Sequence, residues 1–224
     1  MGPDQDWAEL LGRPALEVAP RLLGSVLTVR EGADGADTAT GATVGDGGHH
    51  AVAVRLTEVE AYSGEVDPGS HAYRGLTPRT APMFAAGGRL YVYFTYGMHW
   101  CANIVCGPEG TASAVLLRGG EVVSGHRHAR ARRPAARTDR DLARGPARLA
   151  QALGLTGADS GLTLCAGGRA ELQLGPPPDP AAVRNGPRVG VAGPGGDARD
   201  FPWRYWLDGE PTVSVYRPAT PRRR

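Results

Sequence analysis

Two carboxylates and a phenol alternate in the segment LTEVEAY, where Glu58, Glu60 and Tyr62 are each separated by one residue. Residues two apart in a β-strand point to the same face, so these three side chains would share one side of a sheet. A solvent-exposed face would need no further explanation. If the face lines a cleft, one carboxylate can act as a general base. A catalytic carboxylate pair, as in glycoside hydrolases, fits only loosely, because such neighbours lie about 6–7 Å apart at the backbone.

Aromatic residues are concentrated in the segment LYVYFTYGMHWCAN. Tyr91 and Tyr93 share one face of the predicted strand, and a strand of the hydrophobic core is the simplest interpretation of this alternation. Three tyrosines within six residues fit a core less well, because each buried phenol needs a hydrogen-bond partner. A flat aromatic ligand stacked between tyrosines explains them better.

The regular alternation ends at Gly97, which predicts a turn at this point. Tyr96 and Met98 flank the glycine and would project from the turn. Asn103 lies just beyond the turn, and its amide has both a donor and an acceptor for the edge of a heterocycle.

Charge is unevenly distributed along the chain, although the formal net charge is only +2. Residues 126–148 contain eight arginines against two aspartates, and the chain ends in PRRR. A concentrated basic segment favours a polyanionic partner. A solvated segment without a partner is the alternative, and we expect residues 126–141 to be flexible.

Several chemistries are excluded or disfavoured by composition. The chain has no lysine, so a Schiff-base mechanism through a lysine amine is excluded. The three cysteines form no CxxC pair, and the paired histidines at residues 49–50 and 126–128 have no matching ligand cluster, so no metal is expected. No phosphate-binding glycine loop or nucleophile elbow is present.

The predicted elements describe one α+β domain of 224 residues with a curved, mostly antiparallel sheet. Two short helices open the chain, and GPARLAQALGL predicts another. Residues 31–50 have little to bury and predict a flexible loop. Short strands are predicted near the end, in LTLCAG, RAELQLG, PRVGVAG, PWRYWLDG and TVSVY. No transmembrane helix or signal peptide is predicted, which favours a cytoplasmic, nucleoid-associated protein.

These features together favour a protein that takes a base out of a nucleic-acid stack. Enzymes that act on a base flip it into a pocket and fill the gap that it leaves. An aromatic pocket, a projecting residue at the turn and a carboxylate on a neighbouring strand would suit this task. A binding module that stacks damaged or single-stranded bases without chemistry is an alternative. A glycosidase acting on free nucleosides is another.

The motifs EVEAY, SH, TPR, MF and GRLYVYFTYGMHWCAN, followed by AVLLRGGE, GPARLAQALGL, PRVGV and PWRYWLDG, resemble the alkyladenine (3-methyladenine) DNA glycosylase family. The resemblance extends from about Leu10 to about Tyr216. It implies a monofunctional glycosylase of base excision repair that flips alkylated or deaminated purines from duplex DNA and hydrolyses the N-glycosidic bond. It also implies a monomer with no cofactor, no strand-cleaving lyase activity and no helix-hairpin-helix.

The resemblance also implies roles for individual residues. Glu60 would be the general base, and Arg118 and the Val189 carbonyl would help to hold the attacking water. The base-binding residues would be Tyr62 and His71 on one face of the flipped base, Tyr93 on the other face and Asn103 at its edge. Tyr96 would be the wedge that enters the DNA stack, with Met98 beside it in the minor groove.

Overall fold

Eight β-strands and four α-helices make up the part of the chain that the computed structural model describes, residues 3–31, 50–95 and 97–219. The strands β1 to β8 are Val26–Arg30, Ala51–Tyr62, Arg89–Thr95, His99–Val105, Ala114–Ser124, Ala170–Gln173, Val183–Gly186 and Arg204–Leu207. The helices α1 to α4 are Pro3–Leu11, Ala15–Leu22, His126–Arg132 and Pro146–Leu153.

The strands form one curled antiparallel sheet in the order β3-β4-β5-β2-β1-β6. The long strand β2 is its branch point. It pairs with β5 along one edge, while β1 and then β8 pair with successive parts of its other edge. Strand β7 extends the β8 branch. The α+β domain with a curved antiparallel sheet that the sequence predicts is therefore confirmed.

Alternation along β3, β4 and β5 separates two faces of the sheet. One face packs against α2 and α4 and forms the main hydrophobic core. Core residues on this face and its helices include Val18, Leu22, Leu90, Ile104, Leu117, Leu149 and Leu153. The intervening residues Tyr91, Asn103 and Arg118 point to the other side, because successive strand residues face opposite ways. That side carries the candidate site.

The pairing of β2 with β5 is irregular where β2 carries its carboxylates. The register shifts between Leu56 and Glu58 and again between Glu58 and Val59. Gly120 faces this region, and a Cβ atom there would lie 2.5 Å from the carbonyl oxygen of Arg55. Glycine is therefore required for the close approach of the two strands. Both Glu58 and Glu60 are fully buried.

The strands predicted near the C-terminal end are confirmed only in part. Strands β6 and β8 form as predicted, and β7 was not predicted. The strands predicted at residues 187–193 and 212–216 are wrong, and residues 162–167 contribute only an isolated bridge at Thr163. The physical reason is that backbone N–H groups of Val189 and Ser214 donate to the buried carboxylates of Glu60 and Glu58 instead of to a neighbouring strand.

The sequence predicts two flexible segments, and the structure describes only the second of them in full. Residues 32–49, nearly all of the predicted loop at 31–50, lie outside the described residues. The segment 126–141 contains helix α3 and a short 3₁₀ turn at Asp139–Asp141, and its flexibility stays a prediction. No helix among the described residues is long and apolar enough to cross a membrane.

Leu117→Ala tests whether the core face of β5 supports the sheet. Leu117 is fully buried, so we expect the free energy of unfolding to fall by about 2–5 kcal/mol in urea denaturation. Val123→Ala is the matched control, because Val123 lies on the same strand and is 44% exposed. Its effect should stay within about 0.5 kcal/mol. Equal losses in both variants would contradict this assignment of the two positions.

Candidate active site

A cavity of about 440 Å³ opens on the side of the sheet opposite to the main core. It lies where β2, β3, β4 and β5 meet the segment that follows β7. Seven of the nine residues that the sequence assigns to the site line this cavity: Glu60, Tyr62, His71, Tyr93, Asn103, Arg118 and Val189. Of the other two, Met98 lies on the nearby hairpin and Tyr96 lies outside the described residues.

The carboxylate of Glu60 is fully buried and is held by two hydrogen bonds and one ion pair. The backbone N–H of Val189 donates to Oε1 at 2.7 Å, and the Tyr62 hydroxyl donates to Oε2 at 2.9 Å. Arg118 Nη1 lies 3.4 Å from Oε1. The sequence predicts a role for the Val189 carbonyl, whereas the contact found here is made by its N–H. The carbonyl's role toward a water stays a prediction.

Glu58 fixes the guanidinium of Arg118 from the far side. Its Oε1 accepts hydrogen bonds from Arg118 Nε at 3.0 Å and Arg204 Nε at 2.7 Å. Ser214 donates from its backbone N–H at 2.6 Å and from its hydroxyl at 2.9 Å. Glu58 does not line the cavity, so a catalytic pair of Glu58 and Glu60 is disfavoured. Burial lowers the pKa of Arg118, but the two nearby carboxylates raise it overall.

Arg188 supports the site from behind the cavity and was not predicted from the sequence. Its guanidinium donates to both carboxylate oxygens of Asp67 at 2.6 Å and to the carbonyls of Ala61 and Gly195. It also lies 4.5 Å from the centroid of the Tyr62 ring. These contacts fix the backbone next to Val189 and support the Tyr62 ring from behind. The only available signal was the position of Arg188 beside Val189 in PRVGV.

Aromatic rings form the walls of the cavity. The Tyr91 and Tyr93 rings stack with centroids 5.5 Å apart, and His71 contacts Tyr93 edge-on at 4.5 Å. Burial raises the pKa of Tyr62, and the nearby Glu60 carboxylate raises it further, so the Tyr62 hydroxyl keeps its proton and donates to Glu60. For a base to lie between His71 and Tyr93, the His71 imidazole would have to move away from its edge-on contact with the Tyr93 ring.

The edge and rim of the cavity contain the other predicted residues. Asn103 is buried, and its Nδ2 donates to the Tyr91 carbonyl at 3.0 Å, which fixes the amide plane. At the β3–β4 turn, Gly97 has φ +66°, a left-handed conformation that suits glycine. Met98 follows and is 68% exposed. No group of three or more metal-ligating His, Cys, Asp or Glu residues occurs within the described ranges.

His71 provides a pH test of the cavity wall. Loss of hydration at the imidazole, together with the charge of Arg79, lowers the pKa of His71 to about 4. The residue as a whole is exposed, so solvent screens part of this shift. We therefore expect an NMR titration to show a midpoint below the usual value of about 6.5. Since the unfolded state binds a proton first, His71 should reduce stability as the pH falls from about 6.5 towards 4.

Arg79→Gln should raise the pKa of His71 because it removes the nearby cation. Arg74→Gln is the matched control. Arg74 is exposed and lies in the same 3₁₀ turn as His71, and its replacement should leave the titration of His71 unchanged. A wild-type midpoint near 6.5 would contradict the placement of this ring.

Comparison with known proteins shows the family of this chain. Residues 9–211 match the family model described as methylpurine-DNA glycosylase. A relative from Streptomyces avermitilis is 54% identical over 218 residues, covering 96% of this chain and 93% of its own length. Relatives from Frankia casuarinae (50% identity, covering 99% and 97%) and Burkholderia lata (45% identity, covering 90% and 87%) are similar over nearly their whole lengths. Each of the three is provisionally named as a 3-methyladenine DNA glycosylase. This chain therefore belongs to the methylpurine-DNA glycosylase family of DNA repair enzymes.

Proposed function

We propose that this family member hydrolyses the bond between deoxyribose C1′ and a damaged purine, after the nucleotide has been flipped from duplex DNA into the cavity. The buried Glu60 carboxylate is the observation that supports this most. It is held by two hydrogen bonds and an ion pair with Arg118 in the wall of an aromatic cavity. A carboxylate offers about four acceptor positions, so these contacts leave room for a water molecule.

In the proposed reaction, the water oxygen bonds to C1′ while Glu60 accepts a proton from the water. The bond from C1′ to the purine nitrogen breaks, and its electron pair leaves with the base. Arg118 would hold the water together with the Val189 carbonyl, since both residues line the cavity beside Glu60. The fixed positions of Glu60 and Arg118 would keep the water in line with C1′.

Alkylated purines suit this cavity best. Methylation at N3 or N7 makes the purine a cation, and a cation over the face of an aromatic ring gains about 0.5–2 kcal/mol. Tyr62 and Tyr93 would supply such faces. The lowered pKa of His71 keeps its ring neutral, so it does not repel a positively charged base. Asn103 would disfavour the exocyclic amine of normal guanine. A neutral base such as hypoxanthine must gain a proton as it leaves.

The reaction would end at base release, without cleavage of the DNA strand. Lyase chemistry proceeds through an imine formed with an amine, and the chain has no lysine to supply one. We expect the enzyme to act as a monomer.

Two other functions fit the structure less well. A binding module that only stacks bases has no need for a buried carboxylate, which is costly to desolvate. An enzyme for free nucleosides has no need for an exposed apolar hairpin beside its pocket. Here Met98 is 68% exposed and Phe94 is 47% exposed on that hairpin.

Glu60→Gln tests the proposed general base. Single-turnover release of hypoxanthine or ethenoadenine from a labelled duplex, and of 3-methyladenine from alkylated DNA, should fall at least about 100-fold. Binding to a duplex with an abasic-site analogue should be retained. Glu109→Gln, at an exposed loop position, is the matched control and should release bases at the wild-type rate.

Strand breaks should be scored with and without hot alkali. Breaks that need alkali agree with a monofunctional enzyme, whereas breaks without alkali would contradict it. Tight binding of wild type to damaged duplex, with no release of any base, would identify a binding module instead.

Tyr96→Ala tests the proposed wedge. Stacking of an aromatic side chain on a base contributes about 1–3 kcal/mol, so excision from duplex should slow about tenfold or more. The same damaged strand without its complement is the control, because it leaves no paired gap to fill. An equal loss on single-stranded and duplex substrates would contradict a wedge role.

A further inference from the structure

We propose that an arginine face in and after helix α3 binds the sugar-phosphate backbone of the DNA duplex whose flipped nucleotide enters the cavity. This inference rests on the proposed function. The face is formed by Arg127, Arg130, Arg133, Arg137 and Arg140, in and after helix α3. None of these residues lines the cavity itself.

Much of this positive charge is not neutralised within the protein. Arg130 is paired with Asp139 through two hydrogen bonds of 2.9 Å, and Arg133 donates to the Gln151 side chain. Arg127, Arg137 and Arg140 are exposed and have no hydrogen bond or ion pair to any described residue. A surface with several free guanidinium groups attracts polyanions.

A recess in this face is suited to a phosphate group. It has a volume of about 250 Å³, and Arg130, Arg133 and Arg137 line it together with Asp139, whose carboxylate is paired with Arg130. Arg133 Nε is buried and has no acceptor among the described residues. Burial lowers the pKa of Arg133, and the nearby charge of Arg148 lowers it further. A phosphate oxygen would both accept from these donors and reduce the repulsion between the arginines.

The chemistry of the segment favours phosphates over bases. Residues 126–148 contain no Phe, Trp or Tyr to stack on a base. They also contain no Asn or Gln to pair with adenine. Arginines alone position a protein on the backbone without selecting a sequence.

The location connects this face to the damaged-base cavity. Helix α3 packs against α4, and the first turn of α4 lines the cavity through Pro146 and Ala147. The exposed Arg148 follows directly in α4 and lies close enough to Arg133 to lower the pKa of its guanidinium. The chain therefore leads from this face to the rim of the cavity, and we expect the backbone that flanks a flipped nucleotide to reach the face. This favours DNA over an acidic protein as the partner.

The test is the salt dependence of DNA binding. A triple variant, Arg127→Gln, Arg137→Gln and Arg140→Gln, is compared with a control triple, Arg13→Gln, Arg21→Gln and Arg199→Gln. The control removes three exposed arginines from other surfaces, so the change in net charge is the same. Binding to a duplex with an abasic-site analogue is measured by fluorescence anisotropy between 50 and 300 mM NaCl.

We expect the slope of log Kd against log salt to fall by about 0.9 for each lost phosphate contact, up to about 3 in the first triple. The control triple should keep the wild-type slope. Equal slopes in the two triples would overturn the proposal and leave the face to an acidic protein partner. If circular dichroism shows that the first triple variant is unfolded, the three single variants are measured instead. Each should reduce the slope of log Kd against log salt by about 0.9.

Failure of the inference can be separated from failure of the proposed function. Wild-type base release is measured on a damaged duplex of the same length. If the wild type releases the base while the salt slopes of the two triples agree, only the arginine face is wrong. If the wild type releases no base from any substrate, the proposed function is wrong whatever the slopes are.

Discussion

The buried carboxylate of Glu60 is the constraint on which the rest of this structure depends. A carboxylate without water is strongly unfavourable unless donors replace its hydration. Its partners come from three separate parts of the chain: the Tyr62 hydroxyl at the end of β2, the Arg118 cation in β5 and the backbone N–H of Val189 after β7. The fold must therefore bring these three segments together before the site exists.

The charges behind the cavity are balanced in number. Three arginines, Arg118, Arg188 and Arg204, are buried beside three buried carboxylates, Glu58, Glu60 and Asp67. Removal of any one group would leave a buried charge without its partner, which is more costly than losing an exposed ion pair. This balance also means that the aromatic cavity has no excess of buried cations to oppose a positively charged purine.

One face of the sheet forms the hydrophobic core, and the other face forms the wall of the cavity. Leucine, isoleucine and valine of β3, β4 and β5 pack against α2 and α4, while the alternate positions supply the cavity wall. The β3–β4 hairpin then carries apolar side chains past the cavity to its rim. The same strands therefore hold the core, the pocket and the projecting turn in fixed relative positions.

The sequence by itself determined the α+β class, three of the four helices and the strands that contain Glu60 and Tyr93. Alternation with a period of two is a local property, so Glu60 and Tyr62 could be assigned to one face of one strand, and Tyr91 and Tyr93 to one face of another. The roles expected of these residues came from the family resemblance. Only the tertiary structure decided that Arg188 and Asp67 support this site and that Val189 offers its N–H to Glu60. These contacts join residues more than 100 positions apart across irregular segments, and no local periodicity encodes such pairs.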